Sequence, residues 1–183
     1  MSDQAPLELI NLTVEGAYLI KPRPKGDSRG FFGRLFCASF FEKTGLNPLV
    51  MQINNSLSEQ KGTLRGLHYQ LAPRQETKLV RCVRGAIWDV VLDLRKDSPT
   101  YKKWHAQELS ADNRLMMYVP QGCAHGFITL EHDTEIIYFV SESYAIDLER
   151  GVRWDDAQFG IKWPLQPTVI SEKDLSHSDY GNS

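Results

Sequence analysis

The feature that most constrains this chain is a succession of short, apolar, β-rich runs: Ala17–Lys21, Phe31–Phe36, Leu49–Asn54, Thr63–Tyr69, Lys78–Val83, Ala86–Leu94, Leu115–Val119, Gly126–Leu130 and Thr134–Val140. Turn sequences separate them, among them Lys25-Gly26-Asp27-Ser28, Arg84-Gly85, Lys96-Asp97-Ser98-Pro99 and Pro120-Gln121-Gly122. Their Gly, Pro, Asp and Ser supply the positive φ, the fixed φ and the local hydrogen bonds that tight reversals need. Many short strands at even spacing predict an all-β sandwich or barrel, and the jelly roll is one of the few closures that protects its strand edges. In Ala86–Leu94, Ala86, Trp88, Val90, Leu92 and Leu94 alternate with Asp89 and Asp93, the pattern of a half-buried antiparallel strand. A short peripheral helix is expected over Ala38–Thr44, with Ser39 as cap and Gly45 as stop.

The chain has 183 residues, 42% of them hydrophobic, which suffices for a core without staples. Turn residues are dispersed and no repeat or linker is present, so one domain is expected over 1–183, with a jelly-roll core from about 16 to about 165 and a C-terminal segment over 166–183. The polar residues after Asp174 are expected to fray. A net charge of −2 gives no polycationic surface for nucleic acid. The cysteines, Cys37, Cys82 and Cys123, are odd in number and lack C-x-x-C spacing, which suits a reducing cytoplasm. The N-terminus lacks the pattern of a secretory signal, and no apolar run is long enough to cross a bilayer.

Chemistry-bearing residues gather in two segments. Gly62–Gln70, with His68, is followed by Lys78–Gly85; Val119–Phe127, with His125, is followed by Glu135–Val140 and its Tyr138. Dinucleotide, P-loop, serine-nucleophile and zinc-protease signatures are all missing. A metal-binding β-barrel would need a second histidine two places after His68, but Gln70 stands there, leaving Glu76 and His125 as the nearest further ligands. That set is too small, and no metal or cofactor is expected.

At these segments the chain resembles the dTDP-4-dehydrorhamnose 3,5-epimerase family, a branch of the cupin-like jelly rolls. The resemblance lies in Asp27–Phe32, Gln52–Asn54, Gly62–His68, Lys78–Cys82, Asp93–Arg95 with Ser98–Thr100, Ala124–Phe127, Tyr138, Trp163-Pro164 and Ser171–Asp174, in family order from about Gly16 to Asp174. It implies a cofactor-free isomerase that inverts C3 and C5 of a nucleoside-diphosphate 4-keto-6-deoxysugar, most simply the dTDP-glucose derivative, on a route to rhamnose or a related deoxysugar. Protons beside a ketone are acidic because the carbanion delocalises into the carbonyl, so the reaction needs a base, an enolate stabiliser and an acid on the opposite face.

By resemblance, His68 is the base, Asp174 its carboxylate partner, Lys78 the charge near the enolate oxygen and Tyr138 the acid. Arg29, Phe32, Arg34, Gln52, Ile53, Asn54, Arg65, Lys78, His125, Glu149 and Lys173 fall to substrate binding, with Tyr144 stacking on the base. The residue types suit the ligand: guanidinium and ammonium groups neutralise a diphosphate, amides read a base edge, and a ring covers its face. The family carries an acidic residue where this chain has Arg34, so nucleotide choice is open, as is inversion at C3 or C5 alone. Arg65 and His68 are three residues apart, and a regular strand would point them to opposite faces. A bulge at Gly66 is therefore expected. The family also implies a homodimer in which an N-terminal strand crosses to the neighbour, making Arg29 act in trans.

Overall fold

The structure is a computed structural model that describes residues 5–181. One six-stranded sheet is ordered β1-β2-β10-β7-β12-β5, where β1 is Leu7–Asn11, β2 Tyr18–Pro22, β10 Met116–Val119, β7 Lys78–Arg84, β12 Thr134–Val140 and β5 Gln52–Ser58. The facing sheet is ordered β13-β6-β11-β8-β9, with β13 Glu149–Gly151, β6 Thr63–Gln70, β11 Cys123–Thr129, β8 Ala86–Asp93 and β9 Trp104–Ser110. A short strand β14, Val169–Ile170, runs parallel to β6, and β3 (Lys25–Asp27) with β4 (Gly30–Phe32) makes a separate hairpin. Two short helices, α1 (Ala38–Lys43) and α2 (Glu172–Leu175), complete the described elements. The fold is all-β, a jelly roll with peripheral helices. Among the described residues no helix is long and apolar enough to cross a membrane.

The interior between the sheets is filled by Val80, Met117 and Ile136 from one side and Ile87, Val91 and Phe127 from the other. The outer face of the first sheet, at Ile20, Leu79, Met116 and Tyr118, is covered by Phe41 of α1 and by Leu46. The facing sheet's outer face, at Leu67, Val90, Leu92 and Ala124, is covered by Val152 and Phe159, with Trp154, Trp163 and Tyr180 packed around them.

That last cover changes the reading of β8. The strand is antiparallel to both neighbours, but it is buried on both faces, not one. The apolar even-numbered face packs against the C-terminal stretch, while Asp89 and Asp93 belong to the face with Ile87 and Val91 and are fully buried. Buried carboxylates need partners. Asp89 receives His125, and Asp93 accepts from Arg95 Nε and Nη2 at 2.8 Å each and from the Ser98 and Thr100 hydroxyls at 2.6 Å each. Asp93 thereby fixes the reversal into β9.

Three further expectations are corrected. Cys37, not Ser39, caps α1; its backbone is extended and no side chain caps the helix, because the Ser39 hydroxyl sits 3.3 Å from the Cys37 sulfur. Gly45 does end it, at φ +76°, where Leu46 N–H reaches Phe41 C=O. The sheets begin at Leu7, upstream of residue 16, because Leu7 is itself a core residue. The tail does not fray within the described residues: Tyr180 N–H donates to Asp156 at 2.7 Å, Gln158 donates to the Tyr180 carbonyl at 2.6 Å, and the Tyr180 ring packs on Phe159.

Candidate active site

The two sheets enclose a cleft of two adjoining cavities, of about 450 Å³ and about 240 Å³. His68, Lys78 and Tyr138 line both, so they form the waist where the cavities meet. His68 comes from β6 of one sheet, Lys78 and Tyr138 from β7 and β12 of the other. A flat ligand lying between the sheets meets an imidazole on one side and a phenol on the other.

The backbone distortion that positions His68 is the expected one. Against β11, His125 pairs with His68 and Phe127 with Arg65, so Gly66 and Leu67 oppose Gly126 alone. The extra residue turns Arg65 and His68 into the same cavity. Gly66 sits at φ +112° with the backbone of His125 and Gly126 against it, a place that only glycine fits without strain.

α2 follows β14 and brings in Asp174. Ser171 caps the helix by accepting from Asp174 N–H at 3.1 Å. The Asp174 carboxylate, 4% exposed, lies 2.6 Å from His68 Nε2 and accepts Gly66 N–H at 3.1 Å on its other oxygen. Burial alone would raise this carboxyl, but the hydrogen bond from His68, its charge and the Gly66 N–H outweigh it and hold the group below the usual carboxylate range. An ionised carboxylate only accepts, so the His68 Nε2 that faces it bears a proton.

Across the cleft, Lys78 Nζ pairs with Glu76 at 3.1 Å and donates to the His68 carbonyl at 3.4 Å. Burial, reinforced by Glu76 and opposed by Arg65, raises the Tyr138 phenol, which keeps it a neutral proton donor near pH 7. Tyr138 shares its strand face with Ile136 and Val140, and all three reach the cleft. His125 is tied to buried Asp89 at 2.7 Å, and Arg65 is steadied by Ser58 Oγ and the Leu57 carbonyl, both at 3.2 Å.

The smaller cavity gathers Gln52, Asn54, Tyr144 and Glu149. Glu149 accepts from the Tyr144 hydroxyl at 2.7 Å and from Lys173 Nζ. Burial alone would raise Glu149, but the Lys173 and Tyr144 bonds lower it, and the same pairing raises Lys173 and Tyr144. Tyr144 is 56% exposed, a ring free to accept a stacked partner.

Four expected binding residues lie elsewhere. Arg29 is 87% exposed at the tip of the β3–β4 hairpin and among the described residues pairs only with neighbouring Asp27. Phe32 is 69% exposed on the same hairpin, Arg34 is exposed just beyond it, and Ile53 is 61% exposed on β5. None of the four lines the cleft of this chain.

Several residues at the site were not singled out from the sequence as members of it. Asp89 looked like the solvent face of a strand. Gln70 looked only like a missing metal ligand; it is buried and holds the Tyr144 loop, accepting Ala145 N–H at 2.6 Å and donating to Ser143 C=O at 3.3 Å. His177, in the tail, stands 3.9 Å from Asp174. Burial, then the nearby His68, lowers it.

Fold and site together define a cupin-like jelly-roll isomerase. The family model for dTDP-4-dehydrorhamnose 3,5-epimerase matches residues 11–181. The chain belongs to that family. The Sinorhizobium fredii dTDP-4-dehydrorhamnose 3,5-epimerase is 48% identical over 167 residues, covering 91% of this chain and 86% of its own length. The Bacillus anthracis enzyme, solved with TDP and PPi bound, superposes with a TM-score of 0.91 at 42% identity, covering 94% of this chain and 99% of that one. A 3'-monoepimerase from Streptomyces bikiniensis, solved with dTDP-quinovose, superposes with a TM-score of 0.84 at 34% identity, covering 92% and 85%.

Proposed function

We propose that this chain inverts both C3 and C5 of dTDP-4-dehydro-6-deoxy-D-glucose, with His68 as base and Tyr138 as acid. The observation that carries the reading is the placement of these two groups on facing sheets at the waist of one cleft. His68 Nδ1 takes the proton beside the C4 ketone, and Asp174 stabilises the imidazolium that forms. Electron density moves onto the ketone oxygen, where Lys78 supplies the compensating charge. Tyr138 delivers a proton to the opposite face of the same carbon, inverting it, and one passage at each carbon gives the doubly inverted product. Protons leave and return with no net oxidation, so the overall reaction needs no redox partner. Arg65 and Lys173 suit the diphosphate, Gln52, Asn54 and Tyr144 the nucleoside.

Tyr138→Phe removes the acid and leaves the base. Product formation, followed by the change in sugar-ring proton couplings in NMR, is expected to fall about 100-fold or more, while loss of substrate deuterium at C3 falls far less. Equal losses in the two readouts reject the assignment.

The hairpin and β5 support a homodimer with exchanged N-terminal segments. β5 is an edge strand with Ile53 and Leu57 exposed, and on the hairpin Phe32 projects into solvent while Phe31, 55% exposed, is covered on one face by the Arg114 guanidinium; exposed apolar edges call for a partner. In that assembly Arg29 reaches the neighbour's diphosphate. Sedimentation equilibrium is expected to give two chains, and a monomer at working concentration contradicts the arrangement. The three cysteines are unpaired, and burial pushes the Cys82 and Cys123 thiols up to about 11 and about 12; such inert thiols suit the cytoplasm.

A further inference from the structure

Three side chains with metal-binding atoms converge behind the cleft. One ligand atom each from His68, Asp174 and His177 lies within 4.8 Å of the other two. His177 Nε2 is buried, has no hydrogen-bond partner among the described residues and stands 3.9 Å from Asp174 Oδ1. It is held there by packing, because the ring fills the space a Cβ on Gly151 would need, and Ser176 closes the preceding turn through Glu172 C=O and Lys173 C=O. The chemistry proposed above does not use His177.

We propose that His68, Asp174 and His177 form a binding site for Zn²⁺ or a similar divalent transition-metal ion, and that metal bound there silences the isomerase. Two imidazoles and a carboxylate are the donor set such ions prefer, with a fourth position left for water. With metal–nitrogen and metal–oxygen bonds of about 2.0–2.1 Å, neighbouring donor atoms in a tetrahedral site are about 3.3 Å apart. His68 Nε2 and Asp174 Oδ1, at 2.6 Å, must open, and His177 Nε2 and Asp174 Oδ1, at 3.9 Å, must close, each by about 0.7 Å or less, while the two imidazole donors, within 4.8 Å of each other, close by at most about 1.5 Å. The silencing follows from proton bookkeeping on one ring and rests on the reading of His68 as base. Metal on Nε2 takes the lone pair exposed when the ring's proton leaves that nitrogen. The proton passes through solvent to Nδ1 and occupies the lone pair that would accept the substrate proton. Hard ions such as Mg²⁺ prefer all-oxygen, octahedral surroundings and are excluded by the two imidazoles.

Binding is tested without substrate. The full chain, stripped with a chelator, is titrated with Co²⁺ and the visible absorption of the metal is followed. One Co²⁺ per chain, displaced by Zn²⁺ and not by Mg²⁺, is expected. His177→Gln and His177→Asn, each verified as folded by circular dichroism, are expected to weaken binding at least 10-fold. No Co²⁺ spectrum, or equal affinity in wild type and both variants, overturns the site. In parallel, Zn²⁺ is expected to stop solvent-deuterium exchange into substrate by the wild type, reversibly with EDTA, and to require at least 10-fold more metal in the variants, each read against its own metal-free rate. Metal bound with exchange undiminished overturns the silencing while the site stands; loss of exchange in metal-free His68→Asn keeps that failure apart from a failure of His68 as base.

Discussion

His68→Asn is expected to lower proton exchange at C3 and C5 by about a thousand-fold or more, since a positioned general base contributes about 10²–10⁴-fold. Asn is close in size and leaves Asp174 a donor to pair with, so the waist of the cleft keeps its shape while losing its base. Nucleotide affinity is expected to change less than about threefold, because an interaction made only on the way to the transition state lowers rate and leaves ground-state binding nearly alone. Solvent-deuterium exchange followed by NMR, with dTDP binding measured by calorimetry on the same preparation, separates the two. Exchange retained within about tenfold of wild type would remove His68 from the role of base.

Gly66→Ala is expected to destabilise the fold by about 3–5 kcal/mol, adding the strain of a non-glycine residue at positive φ to that of overpacking. A Cβ there would stand 2.6 Å from Gly126 Cα and 2.7 Å from the His125 carbonyl oxygen, both backbone atoms, at φ +112°. Relief requires moving β6 away from β11, which also withdraws the Gly66 N–H from Asp174. Stability and activity should therefore fall together. Urea unfolding of the two proteins measures the difference, and a loss below about 1 kcal/mol would show that the bulge yields more readily than its packing indicates.

Gly66 also shows how much of the site was legible in the sequence. The odd spacing of Arg65 and His68 demands a break in the strand's alternation if both are to act in one pocket, and Gly66 is the residue between them that permits it; the two-against-one register at Gly126 is that break. The runs at Lys78 and Thr134 became adjacent strands with apolar residues on both faces, Val80, Cys82 and Ile136 toward the interior and Leu79 and Phe139 toward α1. β8 shows where alternation misleads. Its period is correct, but a period does not say what lies on each side, and the cover over its apolar face is built from Val152, Phe159 and Trp163, distant in sequence. Asp89 was hidden from view for the same reason. β9 carries mostly polar, half-exposed residues, with Leu109 alone buried, so it has little pattern to detect. The pairings His68–Asp174 and His125–Asp89 span 106 and 36 residues; nothing local marks them. Resemblance supplied the first, and only the folded chain supplied the second.

Arg29, Phe32 and Arg34 lie outside the cleft of a single chain. The reading that they complete a neighbour's site depends on the assembly, whereas the mechanism proposed for the cleft draws on His68, Lys78, Tyr138 and Asp174, all from one chain.

The central claim is that this cleft inverts two carbons through an enolate, and it is tested most directly by incubating the purified chain with dTDP-4-dehydro-6-deoxy-D-glucose in heavy water and locating deuterium by NMR. The account predicts one deuterium at C3 and one at C5, in a product inverted at both. Deuterium at one carbon alone would contradict double inversion and favour the chemistry of a monoepimerase; none at either carbon, in protein that still binds dTDP, would contradict the claim altogether.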